Sequence, residues 1–317
     1  MFSYNITSSG GKFQSLQEQT FQIMPIRNGI LNPFRFKQFT NKTNILLHTG
    51  YDFHPFQLEI FNPLGKQSQL LKSYLETCKR IHVDQLLIHG PDQPNSLKYF
   101  ESGLTILKTY LDNFNLSLKN SESQFSNQNQ NQFLNQNQFS NQNQYKLQIC
   151  IEMPAFTKSM YSMNINSKSN EMNFNGLSRD NIYDFVLSYF ETIIKFGFDI
   201  VIDTAHLFSN GLNTQEIINI LDIFKDNYKY IHLNGNCNLQ FKKDEHTTLT
   251  DCQGYKKNLI PNPELLLKKA SELMNVNNKI CISEQKCNDL NYFKKLSKEY
   301  GFKLNECIPE NMITSRN

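Results

Sequence analysis

Three observations predict an α/β fold, a (β/α)8 TIM barrel. Eight apolar runs of strand length recur along the 317 residues, most of them separated by stretches with helical periodicity. Phe198 to Ile202 is an apolar run of strand length with Asp199 as its only charge, as a strand buried on both faces of a parallel sheet reads. The third to the eighth runs each end at a His, Asp or Glu, and the C-terminal tips of parallel barrel strands are where such a fold exposes its chemistry. Val201-Ile202-Asp203-Thr204-Ala205-His206 is the most concentrated case.

The first strand is expected over 2–7, closed by Ser8-Ser9-Gly10-Gly11, whose glycines permit a tight turn into a short helical piece over 12–20. The second covers 21–26, where Pro25 bends it or ends it early. Residues 27–43 are polar and basic, with Arg27, Arg35, Lys37 and Lys42 among Phe34, Phe36 and Phe39. That interleaving suits a loop that touches nucleic acid, and equally an exposed loop with a few anchoring phenylalanines. The third strand runs from Asn44 into His48-Thr49-Gly50-Tyr51. A helix over 66–82 places Leu70, Leu71, Tyr74, Leu75 and Cys78 on one face. The fourth strand, 85–88, ends at His89-Gly90-Pro91, and a helix follows over 95–114.

Residues 119–145 change character to an Asn/Gln-rich tract with little to bury, expected to be a disordered insertion in a surface loop. The fifth strand, Leu147 to Glu152, is followed by a polar loop over 154–177 and a helix over 178–196. The sixth ends at Asp203, which read alone could simply cap the next turn. A helix over 214–226 precedes the seventh strand, 230–234, and a loop carrying Asp244-Glu245-His246 follows. A helix over 262–274, the eighth strand over 280–284 and a helix over 288–300 complete a single barrel domain, 1–305, with a tail over 306–317.

Composition sets the bounds. The length fits one barrel of about 250 residues plus insertions. An apolar fraction of 39% is low, and the polar tract explains much of it. The net charge of +3 with a pI near 8.3 permits nucleic-acid binding without arguing for it, since no polybasic block appears. The seven cysteines, at 78, 150, 237, 252, 281, 287 and 307, form no C-x-x-C pair and are odd in number, which reads as reduced thiols. The N-terminus lacks a signal-peptide pattern, and no run reaches the roughly 18 apolar residues a membrane span requires. A soluble, intracellular, monomeric protein is expected, with no membrane partner.

The strand ends supply His48, His89, Glu152, Asp203, His232 and Glu284, and loops at the same end add His206, Asp244 and His246. Each has an ordinary alternative, since a lone His in an Ile-His-Leu run is usually a hydrogen-bonded core residue. Together they differ. Buried imidazoles and carboxylates without compensating charge are expensive, and metal ions remove that cost. Five imidazoles and four carboxylates can hold more than one ion. Three zinc ions need roughly three to four protein donors each when water and shared carboxylates complete the shells. A multi-metal cluster lowers the pKa of bound water to about 7 and stabilises both entering and leaving oxygens, which suits phosphodiester hydrolysis.

The motifs resemble those of the endonuclease IV family of abasic-site DNA endonucleases, within the xylose-isomerase-like barrels. Val201 to Gly211 is similar to that family's D-T-x-H-x-F-x-x-G signature, and Ile231-His232-Leu233-Asn234 with Asp244-x-His246 to its next one. His48-Thr49-Gly50-Tyr51 matches its H-x-x-Y motif, and Ser8-x-Gly10-Gly11 its opening turn. The resemblance covers the chain apart from the Asn/Gln insertion and is thin over the first 45 residues. It implies three zinc ions, with manganese an alternative at one site. His48 and His89 would bind the first, with Glu152 bridging to a second completed by Asp203, His232 and Glu284. His206, Asp244 and His246 would hold the third. Glu152 and Glu284 would be catalytic.

The implied partner is double-stranded DNA containing abasic sites, cut on the 5′ side to leave a 3′-hydroxyl in base excision repair. Tyr51 would enter the DNA where the abasic nucleotide is turned out, and Arg27 and Arg35 are both candidates for the penetrating arginine. There are departures. Gly235 stands where the family continues H-L-N-D, 247–254 replaces a glycine-rich turn, and His54 stands where Asn is common. Two other readings remain open. One is a metal-dependent sugar isomerase or epimerase using Glu152, Asp203, His232 and Glu284. The other is a non-catalytic DNA-binding protein, whose mark would be a lost ligand.

Overall fold

The computed structural model describes residues 2–7, 20–24, 44–50, 53–129, 146–156, 180–242, 244–250, 256–284 and 290–302. The helical piece expected over 12–20 up to residue 19, the loop 27–43, most of the loop 154–177 and the tail 306–317 lie outside the described residues. Strands β1 (Phe2–Thr7), β2 (Thr20–Met24), β3 (Asn44–His48), β4 (Gln85–His89), β5 (Gln148–Glu152), β6 (Asp199–Asp203) and β7 (Tyr230–His232) lie side by side in that order. After a two-stranded ribbon, β8 (Gly235–Asn236) and β9 (His246–Thr247), the strand β10 (Ile280–Ser283) inserts between β7 and β1 and closes the barrel. All eight barrel pairings are parallel, and the ribbon is antiparallel.

Helices α1 (Lys66–Ile81), α2 (Pro94–Leu97), α3 (Phe100–Asn129), α4 (Ile182–Lys195), α5 (Thr204–Ser209), α6 (Thr214–Ile223), α7 (Pro263–Asn277) and α8 (Leu290–Tyr300) connect the strands. Their local signals are readable. In α1, Leu71, Tyr74, Leu75 and Cys78 are buried as their spacing predicts, and Leu70 packs against the same core half-buried. The helix stops at His82, which takes the left-handed conformation at φ 52° and donates its N–H to Cys78 O. A capping box, Asn213 with Glu216, starts α6.

Strand alternation sorts the core into two layers, because successive side chains point to opposite faces. Leu46, Leu87, Cys150, Val201, Tyr230, Ile280 and Ile282 fill the barrel interior. Their strand neighbours Ile45, Leu47, Leu86, Ile88, Ile149, Ile151, Ile200 and Ile202 pack outward against the helices. Runs apolar on both faces are therefore the sequence signature of this sheet.

Two expectations are corrected. The Asn/Gln tract does not begin as an insertion at 119, because α3 continues to Asn129; residues 130–145 are outside the described set. Leu104, Leu107, Leu111, Phe114 and Leu118 anchor the helix against the core. Once a helix is nucleated each further residue adds a hydrogen bond, so a polar continuation follows at little cost. The seventh strand ends at His232 rather than 234, since Gly235 and Asn236 leave the barrel to pair with Thr247 and His246.

Gly90, just past β4, is held close to α4. Its N–H donates to Glu152 O at 2.8 Å, and a Cβ there would lie 1.8 Å from the hydroxyl oxygen of the fully buried Tyr189. Overpacking of this kind costs about 1–3 kcal/mol. Gly90→Ala should lower the urea midpoint accordingly, and an unchanged midpoint would show that Tyr189 is not held in place.

Candidate metal centre

The interior layer determines which strand ends face inward. His48, His89, Glu152, Asp203, His232 and Glu284 each follow, by two positions, an interior residue: Leu46, Leu87, Cys150, Val201, Tyr230 and Ile282. Period-two alternation thus turns six strand ends into one polar layer on an apolar floor. The loops complete it. His206 lies on the first turn of α5, and β9 carries His246 back over the barrel mouth with Asp244 beside it. All nine residues of the expected set are brought together.

Glu152 is the centre. Its carboxylate is fully buried and faces four imidazoles: Oε1 lies 2.9 Å from His232 Nδ1 and 3.3 Å from His206 Nδ1, and Oε2 lies 3.2 Å from His89 Nε2 and 3.6 Å from His48 Nε2. Asp203 does two jobs. Its Oδ1 caps α5, accepting from Ala205 N at 2.7 Å and His206 N at 3.0 Å. Its Oδ2 turns to the centre, 3.7 Å from both His232 Nδ1 and His246 Nε2. The capping and ligand readings of Asp203 are therefore compatible. Asp244 Oδ2 spans the two remaining rings, 3.3 Å from His206 Nε2 and 3.0 Å from His246 Nε2. Glu284 Oε2 lies 3.6 Å from His232 Nδ1 and 3.5 Å from His246 Nδ1.

Three sets of donor atoms fall within 4.8 Å of one another: His48, His89 and Glu152; Glu152, Asp203, His232 and Glu284; and Asp203, His206 and His246. The third set includes Asp203, with Asp244 alongside. Glu152 Oε2 and His246 Nε2 are buried, and their contacts with His89 Nε2 and Asp244 Oδ2 are close ion-pair contacts without good hydrogen-bond geometry. Lone pairs of nitrogen and oxygen left open toward shared centres are what a divalent cation accepts, so these residues fit metal ions.

The electrostatics follow from burial and mutual charge. Burial opposes ionisation of Glu152, but His232 and His206 outweigh it and hold its carboxyl well below the ordinary range. Glu284 and Asp244 also go down, against their burial, through the imidazoles beside them. Asp203 goes up, because burial and the Glu152 charge prevail over its histidine neighbours. His232 and His246 are raised to about 9, since the surrounding carboxylates overcome desolvation, and His206 is raised well above its usual value for the same reason. His89 goes down through desolvation.

Tyr51, Arg27 and Arg35 lie outside the described residues. An open cleft beside His89, lined by Gly50, Phe53, His54, Phe56, Asp92 and Pro154, adjoins the cluster. His82 is exposed at the end of α1, away from it. Two residues here are not signalled by strand-end chemistry. Asn234 donates to Asp203 Oδ2 at 2.7 Å and accepts from Glu284 N at 3.0 Å. Gln22, in the middle of β2, contacts both His232 and Glu284.

Sequence comparison gives no family: no family model matches the chain, and no curated protein matches it. Solved structures share its fold. Endonuclease IV from Thermus thermophilus superposes with a TM-score of 0.54 at 12% identity, over 94% of this chain and 99% of that one. A structure described as AsfvAP:AG gives 0.51 at 14% identity over 89% and 83%. A D-tagatose 3-epimerase-like protein gives 0.51 at 14% identity over 94% and 96%. The chain is a TIM barrel of the kind these proteins share. Among the described residues no helix is long and apolar enough to cross a membrane.

The raised histidines give a pH signature. A group whose folded pKa is about 9 against an unfolded value near 6.5 stabilises the fold fully below 6.5, and that contribution is lost as pH rises through about 9. Metal-stripped protein should therefore melt at a lower temperature at pH 9 than at pH 6.5. Zinc should reverse the trend, because bound ions replace those protons. Identical slopes with and without zinc in a pH series of thermal melts would contradict this assignment.

Proposed function

We propose that the protein is a zinc-dependent endonuclease that hydrolyses the phosphodiester on the 5′ side of abasic sites in double-stranded DNA, leaving a 3′-hydroxyl and a 5′-deoxyribose phosphate. The observation that supports this reading is the third set of donors, Asp203, His206 and His246, with Asp244 Oδ2 against both imidazoles, beside two sets joined by Glu152. An isomerase or epimerase needs only the Glu152, Asp203, His232 and Glu284 set. The fold does not decide, since it is common to endonuclease IV and to an epimerase-like protein.

In this reading His48, His89 and Glu152 would hold one zinc. Glu152, Asp203, His232 and Glu284 would hold the second, and His206, Asp244 and His246 the third, with manganese an alternative at one position. Zinc, when bound, makes hydroxide available near neutral pH and offsets charge on the entering and leaving oxygens. The chain supplies the rest. Glu152 stays ionised because the imidazoles hold its pKa down, so it can belong to two sets at once. Asp203, fixed by its cap and by Asn234, keeps one oxygen directed at the centre. The apolar floor of Leu46, Leu87, Val201 and Ile282 seals the site from below, so the substrate phosphate approaches only from the loop side.

Tyr51, Arg27 and Arg35 are proposed to contact DNA at the extruded nucleotide. An abasic nucleotide has no base to unstack, so turning it out costs less than the few kcal/mol of an intact pair, which favours the damaged site.

The purified protein should cleave a duplex carrying one synthetic abasic site in buffer without magnesium, and should still do so after brief EDTA. Glu152→Gln, close in size, should abolish cutting while the circular dichroism spectrum is kept. Near-normal incision by that variant would sink the mechanism. Absence of cutting by metal-loaded wild type would redirect the assignment to sugar isomerisation, tested by epimerisation of ketohexoses.

A further inference from the structure

We propose that Gln22 is a positioning residue for the metal centre, setting which nitrogen of His232 and which oxygen of Glu284 face it; this rests on the metal-centre reading above. Gln22 is fully buried, and its interior direction follows from its register with Leu46 of the barrel core. Its amide nitrogen donates to Glu284 Oε1 at 2.5 Å, and its amide oxygen lies 2.6 Å from His232 Nε2. One side chain on β2 thus joins residues at the ends of β7 and β10, the latter reached across β1.

The arrangement has one consistent assignment. An ionised carboxylate only accepts hydrogen bonds, so Glu284 requires the amide nitrogen of Gln22. The amide oxygen is then directed at His232, and as it too only accepts, His232 Nε2 must carry a proton. In a neutral ring that leaves Nδ1 with the lone pair. Nδ1 is the atom 2.9 Å from Glu152 Oε1, 3.6 Å from Glu284 Oε2 and 3.7 Å from Asp203 Oδ2. The same contact occupies Glu284 Oε1 and leaves Oε2 turned toward His232 and His246. A flipped amide would set its oxygen against the carboxylate oxygen, two acceptors face to face, so the Glu284 contact fixes the amide orientation and, through it, the His232 tautomer.

Spanning both partners also requires the length of Gln. Asn has the same amide but is one methylene shorter, so it cannot keep both contacts without moving β2. Met keeps the length and offers neither bond.

The test uses full-length, zinc-loaded protein. In wild type, nitrogen-15 spectra of the imidazoles should show His232 protonated at Nε2; a proton at Nδ1, or zinc bonded to Nε2, overturns the inference without any variant. Gln22→Met and Gln22→Asn should each bind one of the zinc ions about 10- to 100-fold more weakly, read by chelator competition and metal content, with unchanged circular dichroism. Wild-type zinc affinity and stoichiometry in either folded variant would also overturn it. Wild type that takes up no zinc would overturn the metal centre and this inference together. Zinc binding that responds to Gln22 in a protein that does not cut DNA would leave the inference standing and reject only the nuclease reading.

Discussion

A fully buried carboxylate, Glu152, facing four imidazoles is the constraint around which the upper end of the barrel is arranged. An isolated charge there would carry an effective penalty of several kcal/mol, and the apolar layer beneath it, from Leu46 round to Ile282, keeps water from relieving that cost. The surrounding groups must therefore offset it. His232 and His206 do so with positive charge, which raises their own pKa values and lowers that of Glu152. Protons can occupy the centre in this way, but the contacts of Glu152 Oε2 and His246 Nε2 with their neighbours lack good hydrogen-bond geometry. Divalent ions would meet both demands, the charge and the open lone pairs.

Most of the barrel and the six strand-end members of the candidate cluster could be read from the chain because both rest on the same period-two pattern. An interior apolar residue followed two positions later by His, Asp or Glu is visible in Leu87-Ile88-His89, Cys150-Ile151-Glu152 and Val201-Ile202-Asp203 without knowledge of the fold. What was not legible came from outside that pattern. Gln22 sits mid-strand and is not a usual metal ligand, so its role appears only when β2 is placed across the barrel from His232. The ribbon β8–β9 pairs only two residues with two, too short for periodicity to register. The extension of α3 to Asn129 runs against composition, because a well-anchored amphipathic half carries a tail that would not form a helix alone.

The barrel itself is neutral about function. An endonuclease IV and an epimerase-like protein share it at 12% and 14% identity with this chain, so function has to be read from the residues at the site. Here the chain separates what the barrel supplies from what is added to it. The strands provide one layer of six inward side chains, enough for one or two ions. His206 comes from a six-residue helix started by the Asp203 cap, and His246 and Asp244 come from a ribbon and its loop outside the barrel. The residues on which the phosphodiester proposal rests are thus carried by the parts of the fold that the barrel does not need in order to close.

The hydrogen bonding behind the cluster shows how its imidazoles are held ready. His48 Nδ1 lies 2.7 Å from Thr49 O, His206 Nδ1 lies 3.0 Å from Met153 O, and His232 Nε2 faces the Gln22 amide oxygen. Each partner can only accept, so each ring commits one N–H to the protein and turns its other nitrogen toward a carboxylate of the centre. Asp203 divides its oxygens in the same manner, one to the α5 cap and one inward. The side chains are consequently oriented by folding rather than by an ion. Binding a cation at such a centre displaces protons from rings already in place, and little side-chain entropy remains to be lost at that step. A site built this way favours tightly held ions over ions that exchange with solvent, because the orientational cost has been met by the same contacts that close the barrel.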